Sequence, residues 1–202
     1  MNKNNQHNHT QVFLDSFESG LKIQDARVID SGCGDGFASN EFMKRGAKVV
    51  YIHDIKDTFN KEYTDPKIVK VAGNLDWMNH CTISWSHHVL EHVRNPVEYL
   101  YRLRCKLTPC GELWLGCPNT EHDAVFAEGH VNNFTIGNLV LCLRDAGYAV
   151  GEMNWLITAG QIRVRVPNRG IGELPPPIAL KFKTNKHFSI HELPREWRWN
   201  EK

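Results

Sequence analysis

Two stretches of this chain carry residue types at spacings that can do chemistry. The first is Ser86-His87-His88, followed by Glu91-His92. Imidazole is the side chain that gains and loses a proton near neutral pH, so a His or Glu here is a candidate general base. The second is Asp30 followed by Gly32, Gly34 and Gly36 at alternate positions, with Cys33 between the first two. Glycines there permit positive φ and a close approach of a ligand to the backbone, and Asp30 can accept a hydrogen bond from an amine or hydroxyl.

Both stretches need a framework. Val28 and Ile29 open an apolar run from Ala26 that reads as a buried strand, with the glycines as its turn. Phe37 to Arg45 then reads as a helix whose first N–H groups point back into the turn. Ala47 to Ile52 is a second strand ending in His53 and Asp54. A carboxylate at that place can take both hydroxyls of a ribose, in either of two nucleotide-binding folds. The glycine spacing separates them. The dinucleotide fingerprint puts its third glycine three residues after the second, and here it comes after two, with Phe37 in the fingerprint's place.

Further along, Asp57 to Tyr63 reads as a short helix, Lys67 to Val71 as a strand, and Cys81 begins a fourth strand that delivers the histidines. Asn95-Pro96 reads as the cap and first turn of a helix to about Leu107. Thr108 to Gly111 is a turn, Glu112 to Gly116 a fifth strand, and Ile136 to Ala146 a helix closed by Gly147. Ala149 to Ile157 and Gln161 to Val166 read as two strands joined at Ala159-Gly160. Upstream, Val12 to Leu21 is a short helix preceded by a polar, disordered lead-in.

The acid-x-Gly-x-Gly-x-Gly turn resembles the first motif of the class I S-adenosylmethionine (SAM)-dependent methyltransferases. Val89-Leu90-Glu91-His92-Val93, Asn95-Pro96, the helix that follows and the strand ending in Pro118-Asn119 resemble the subfamily labelled type 11 or type 23. So do His130-Val131, Phe134-Thr135 and Ala146-Gly147-Tyr148. Two positions depart from the pattern: Thr82 stands where an acid commonly opens the fourth strand, and Cys110 where the turn usually has glycine. The resemblance covers residues 26–166, leaving 1–25 as lead-in and helix and 167–202, with Pro175-Pro176-Pro177, Trp197 and Trp199, as an extension.

The resemblance implies an α/β, Rossmann-like fold: a mostly parallel sheet of seven strands with helices on both faces and an antiparallel terminal hairpin. It implies SAM as cofactor, held by Asp30, Gly32, Cys33, Gly34, Asp54, Ile55, Asn74, Leu75, Asp76, Ser86 and His87. Asn74 or Asp76 would meet the adenine. The reaction implied is methyl transfer to an oxygen or nitrogen of a small molecule, with His92, Glu91 or His88 as base. In a related pocket the position of His88 holds an acid. The alternatives are a nucleic-acid or protein methyltransferase, and a non-catalytic partner subunit of the same fold.

Composition narrows these classes. A chain of 202 residues, 41% hydrophobic, suits one globular domain with a sizeable core. A net charge of +1 gives no electrostatic footprint for nucleic acid. No Pro-Pro-aromatic motif follows the fourth strand, and the Pro109-Cys110 pair falls in a turn. No run is long enough to span a bilayer, and the polar start is not a secretory signal, so a cytoplasmic protein is expected. Its six cysteines show no CxxC pair and read as reduced thiols, with Cys81 and Cys142 in the core. The clustered histidines, with His122 and His130, raise a metal site, but their spacing fits no ligand pattern and none is expected.

Overall fold

The computed structural model describes residues 3–18, 23–71, 80–119, 129–158 and 161–168. Seven strands form one sheet: β1 (Arg27–Ser31), β2 (Val49–His53), β3 (Ile68–Lys70), β4 (Cys81–His87), β5 (Leu107–Pro118), β6 (Asn154–Thr158) and β7 (Gln161–Pro167). Their order is β3-β2-β1-β4-β5-β7-β6. Strands β1 to β5 are mutually parallel, and β7 runs antiparallel to both β5 and β6. The expected adjacency of the first two strands is present, with Val28 opposite Val50 and Asp30 opposite Ile52.

Alternation along the strands splits the core into two layers. Ile29, Leu113 and Leu115 face one side, where α3 (Pro96–Arg104) brings Leu100 and Leu103 and α4 (Ile136–Asp145) brings Leu139 and Leu143. Val28, Ile83, Trp85 and Trp114 face the other, where α1 (Lys3–Glu18) brings Phe13, Leu14 and Phe17 and α2 (Phe37–Lys44) brings Phe42. Helix α3 begins as its sequence demands: Asn95 Oδ1 accepts from the Glu98 N–H at 3.2 Å and Pro96 fills the first turn. Thr135 caps α4 in the same way, through the Asn138 N–H.

Three expectations are corrected. The polar start is not a disordered lead-in, because α1 already begins at Lys3. Its first turns contain no apolar residue, and tertiary contacts described below hold them. The segment from Asp57 to Tyr63 is not helical. Its groups are spent elsewhere: Asp57 pairs with Lys70 at 2.6 Å, the Asn60 N–H bonds to Asp35 O at 2.8 Å, and Phe59 lies where a Gly36 side chain would go. The supposed turn at Thr108–Gly111 belongs to β5, whose register against β4 shifts between Cys81 and Ile83, so the extra residues bulge without ending the strand.

No helix among the described residues is long and apolar enough to cross a membrane.

Candidate functional site

The turn after β1 is built around three positive φ angles, 76° at Gly32, 53° at Gly34 and 86° at Gly36. The outer two are also steric requirements. A Cβ on Gly32 would lie 2.2 Å from Val89 Cγ2, and one on Gly36 would lie 2.1 Å from Phe59 Cε2. Gly34 differs: a Cβ there would meet nothing within 4 Å, so its outer side is open. Its N–H donates to Asp54 Oδ2 at 2.8 Å, and the Lys56 N–H donates to Asp54 Oδ1 at 2.9 Å. These bonds fix the carboxylate at the end of β2 against the turn and leave each oxygen a further lone pair. The next side chain, Ile55, is apolar and 92% exposed.

Asp30 lies underneath. It is 1% exposed and accepts from Ser39 Oγ of α2 at 2.5 Å. Burial, opposed in part by that hydrogen bond, raises its carboxyl to about 7. Cys33 is half-buried, and burial pushes its thiol up, away from the reactive thiolate.

The end of β4 separates its polar residues by face. Ser86 is fully buried on the α3 side, 2.8 Å from Tyr99 Oη, which in turn donates to Ser31 Oγ at 3.0 Å. Burial raises the Tyr99 hydroxyl to about 12, so it stays protonated. His87 points the opposite way, against Phe13 and Trp85, with Nδ1 3.2 Å from Thr10 Oγ1 of α1. Burial lowers its pKa well below the usual value, with His88 and Arg163 adding to the effect, and Nε2 has no partner among the described residues. The Ser86 side chain is thus buried against protein hydroxyls, while that of His87 lies half-buried on the opposite face with Nδ1 beside Thr10.

His88 has φ 57°, an unusual backbone for a side-chain-bearing residue, and this turns its ring out of the strand's alternation. Nδ1 is 3.0 Å from Glu91 Oε1 and Nε2 is 2.9 Å from Gln161 Nε2. Hydrogen-bond roles follow from the neighbours. Arg163 donates to Gln161 Oε1 at 3.1 Å, which makes the amide nitrogen face both His88 Nε2 and His9 Nδ1, the latter at 2.8 Å. An amide N–H donates, so His88 Nε2 accepts and its Nδ1–H donates to Glu91. Glu91 follows in a 3-10 turn (Leu90–His92), and its backbone carbonyl takes the N–H groups of Val131 and Asn132. His92 is exposed, with Nδ1 2.8 Å from Gly129 O, and its ring meets His130 edge to face at 4.9 Å.

The structure thus gathers His88, Glu91 and His92 at the carboxyl end of β4, beside the turn through the Gly32–Val89 contact. Asn74, Leu75 and Asp76 lie outside the described residues. Sequence spacing missed His9, Thr10, Tyr99, Gln161 and Arg163. The signal for two of them was present: Gln161-Ile-Arg163-Val-Arg165-Val alternates polar and apolar, and β7 turns its polar face toward α1. Arg163 there is 2% exposed, lies over the Phe13 ring at 5.8 Å and is lowered by burial to about 10. Helix α1 covers both halves, since His7 Nε2 also meets Asp35 Oδ2 at 2.9 Å and stacks on Phe37 at 4.1 Å.

No protein-family model and no characterised protein matches this sequence. Solved structures match its fold. The SAM-dependent methyltransferase from Aquifex aeolicus is 17% identical, over 79% of this chain and 89% of that one, with a TM-score of 0.65. The one from Mesorhizobium loti is 14% identical over 76% and 96%, with a TM-score of 0.62. Magnesium protoporphyrin IX methyltransferase from Synechocystis with bound SAH is 14% identical over 81% and 83%, with a TM-score of 0.64. The chain has the Rossmann-like fold of these class I SAM-dependent methyltransferases.

Proposed function

We propose that this protein is a SAM-dependent methyltransferase acting on an oxygen or nitrogen of a small-molecule acceptor, as the type 11 or type 23 resemblance of its sequence suggests. The observation that carries the reading is the open side of Gly34 beside the fixed carboxylate of Asp54, at adjacent parallel strand ends. A ligand with a vicinal diol and a flat apolar ring suits these groups. Asp54 has lone pairs for two hydroxyls, exposed Ile55 offers an apolar surface to a ring, and the Gly32–Gly34 backbone admits close approach.

SAM supplies a methyl group already activated by its sulfonium. What remains for the chain is to align the acceptor and remove its proton. His88 suits the second task. Its Nδ1–H is oriented by a buried carboxylate, which leaves Nε2 as the basic nitrogen once Gln161 yields it. His92 turns its Nδ1 to a backbone carbonyl and lies further out.

Calorimetry with SAM, S-adenosylhomocysteine and NAD tests the cofactor: binding of the first two is expected, and binding of NAD alone would overturn the reading. Methyl-labelled SAM added with a fractionated cell extract identifies the acceptor class. Label in small molecules supports the proposal, and label in nucleic acid or protein would replace it.

A further inference from the structure

Glu91, His92 and His130 come together although the last two lie 38 positions apart in the chain. One carboxylate oxygen and one nitrogen from each ring all lie within 4.8 Å of one another. Two further observations bear on what that grouping is for. Glu91 is 1% exposed, His88 occupies its Oε1, and its Oε2 has no hydrogen-bond partner among the described residues. A buried carboxylate oxygen left bare is costly, and such atoms are rare in folded proteins. His92 is also oriented. A carbonyl only accepts, so Nδ1 carries the hydrogen toward Gly129 O, and the lone pair of the neutral ring is on Nε2. Metal-bound histidines are usually held in this way, by a second hydrogen bond that fixes the tautomer.

The backbone supports the grouping. Both the Val131 and Asn132 N–H groups bond to Glu91 O, at 2.8 and 3.0 Å, and the Asn132 side chain bonds to Val93 O. The segment carrying His130 is therefore tied to the residue that supplies the carboxylate.

We propose that Glu91, His92 and His130 form a binding site for a divalent first-row transition metal of the Zn²⁺ or Co²⁺ type. Two imidazoles and one carboxylate are the donor set such ions take, whereas Mg²⁺ and Ca²⁺ favour oxygen ligands. Three protein ligands leave a coordination position for an exogenous oxygen. Given the methyltransferase reading, that position would receive an oxygen of the acceptor, which narrows the acceptor to a molecule with a hydroxyl, phenol or carboxylate able to bind a metal.

The test uses the full chain stripped with a chelator and titrated with Co²⁺. One ion per chain should bind with visible d–d absorption, and Zn²⁺ should displace it while excess Mg²⁺ does not. His130→Ala should weaken Co²⁺ by about 100-fold without changing the melting temperature of the metal-free protein. Glu91→Gln should do the same, and because Glu91 is buried, His130→Ala carries the test if that variant does not fold. Absence of the absorption, or its full retention in His130→Ala, would overturn the site. SAM calorimetry on the same samples separates the two readings. Metal binding without SAM binding removes the methyltransferase proposal and keeps the site, and SAM binding without metal does the reverse.

Discussion

His88 and Glu91 form an imidazole–carboxylate pair, Nδ1 to Oε1 at 3.0 Å, with Glu91 withdrawn from solvent. If His88 takes the acceptor proton, His88→Ala should lower methyl transfer by about 10²–10⁴-fold while SAM affinity measured by calorimetry stays near wild type. Unchanged turnover would remove His88 as the base, and only near-normal rates in His88→Ala, Glu91→Ala and His92→Ala together would leave catalysis to alignment alone.

Gly32 and Gly34 should fail in different assays. Gly32→Ala drives a methyl group into Val89, so its melting temperature should fall sharply. Gly34→Ala meets no protein atom, and its folding cost is the left-handed backbone alone, about 1–2 kcal/mol. Its larger effect should appear in SAM calorimetry, because the added methyl stands on the open side of the turn.

Asp54→Ala should weaken SAM by about 1–3 kcal/mol if the carboxylate accepts from both ribose hydroxyls. An unaltered dissociation constant would remove Asp54 from the cofactor site.

Asp30 makes stability depend on pH. Its carboxyl rises from 3.8 to about 7 on folding, so between those values the folded chain holds a proton the unfolded chain has released. Stability contributed by the neutral form is complete below about 4, declines as pH rises and is lost above about 7, a difference of about 4 kcal/mol. Asp30→Asn cannot ionise. Its melting temperature, relative to wild type, should climb between pH 5 and pH 8, and parallel curves for the two proteins would contradict the shift.

The strands and glycine turn were legible because their periods are local: Val28-Ile29, Val49-Val50 and the capped α3 each announce themselves within a few residues. Much of the site is not local. Ser86 and His87 are neighbours in sequence, but a strand sends adjacent side chains to opposite faces, so Ser86 meets Tyr99 while His87 meets Thr10. His88 stands just past the end of the strand, with φ 57°, so the rule does not govern it. His130 gave no ligand spacing with Glu91-His92, because hydrogen bonds to the Glu91 carbonyl bring it there. The start of α1 is polar, and no periodicity could reveal a helix held by His7, His9 and Thr10.

Those three residues also join parts of the chain that are far apart in sequence. The His9–Gln161 bond closes a loop of 152 residues, and the His7–Asp35 and Thr10–His87 bonds close loops of 28 and 77. Each needs its partner strand or turn to be in place first, and long closures are entropically costly until surrounding structure supports them. During synthesis α1 emerges well before β7, so its His9–Gln161 contact cannot form until the far end of the described chain is made. The histidine network over the sheet therefore ties the first helix to the turn after β1, to the end of β4 and to β7 at once, and each tie spans a long stretch of chain.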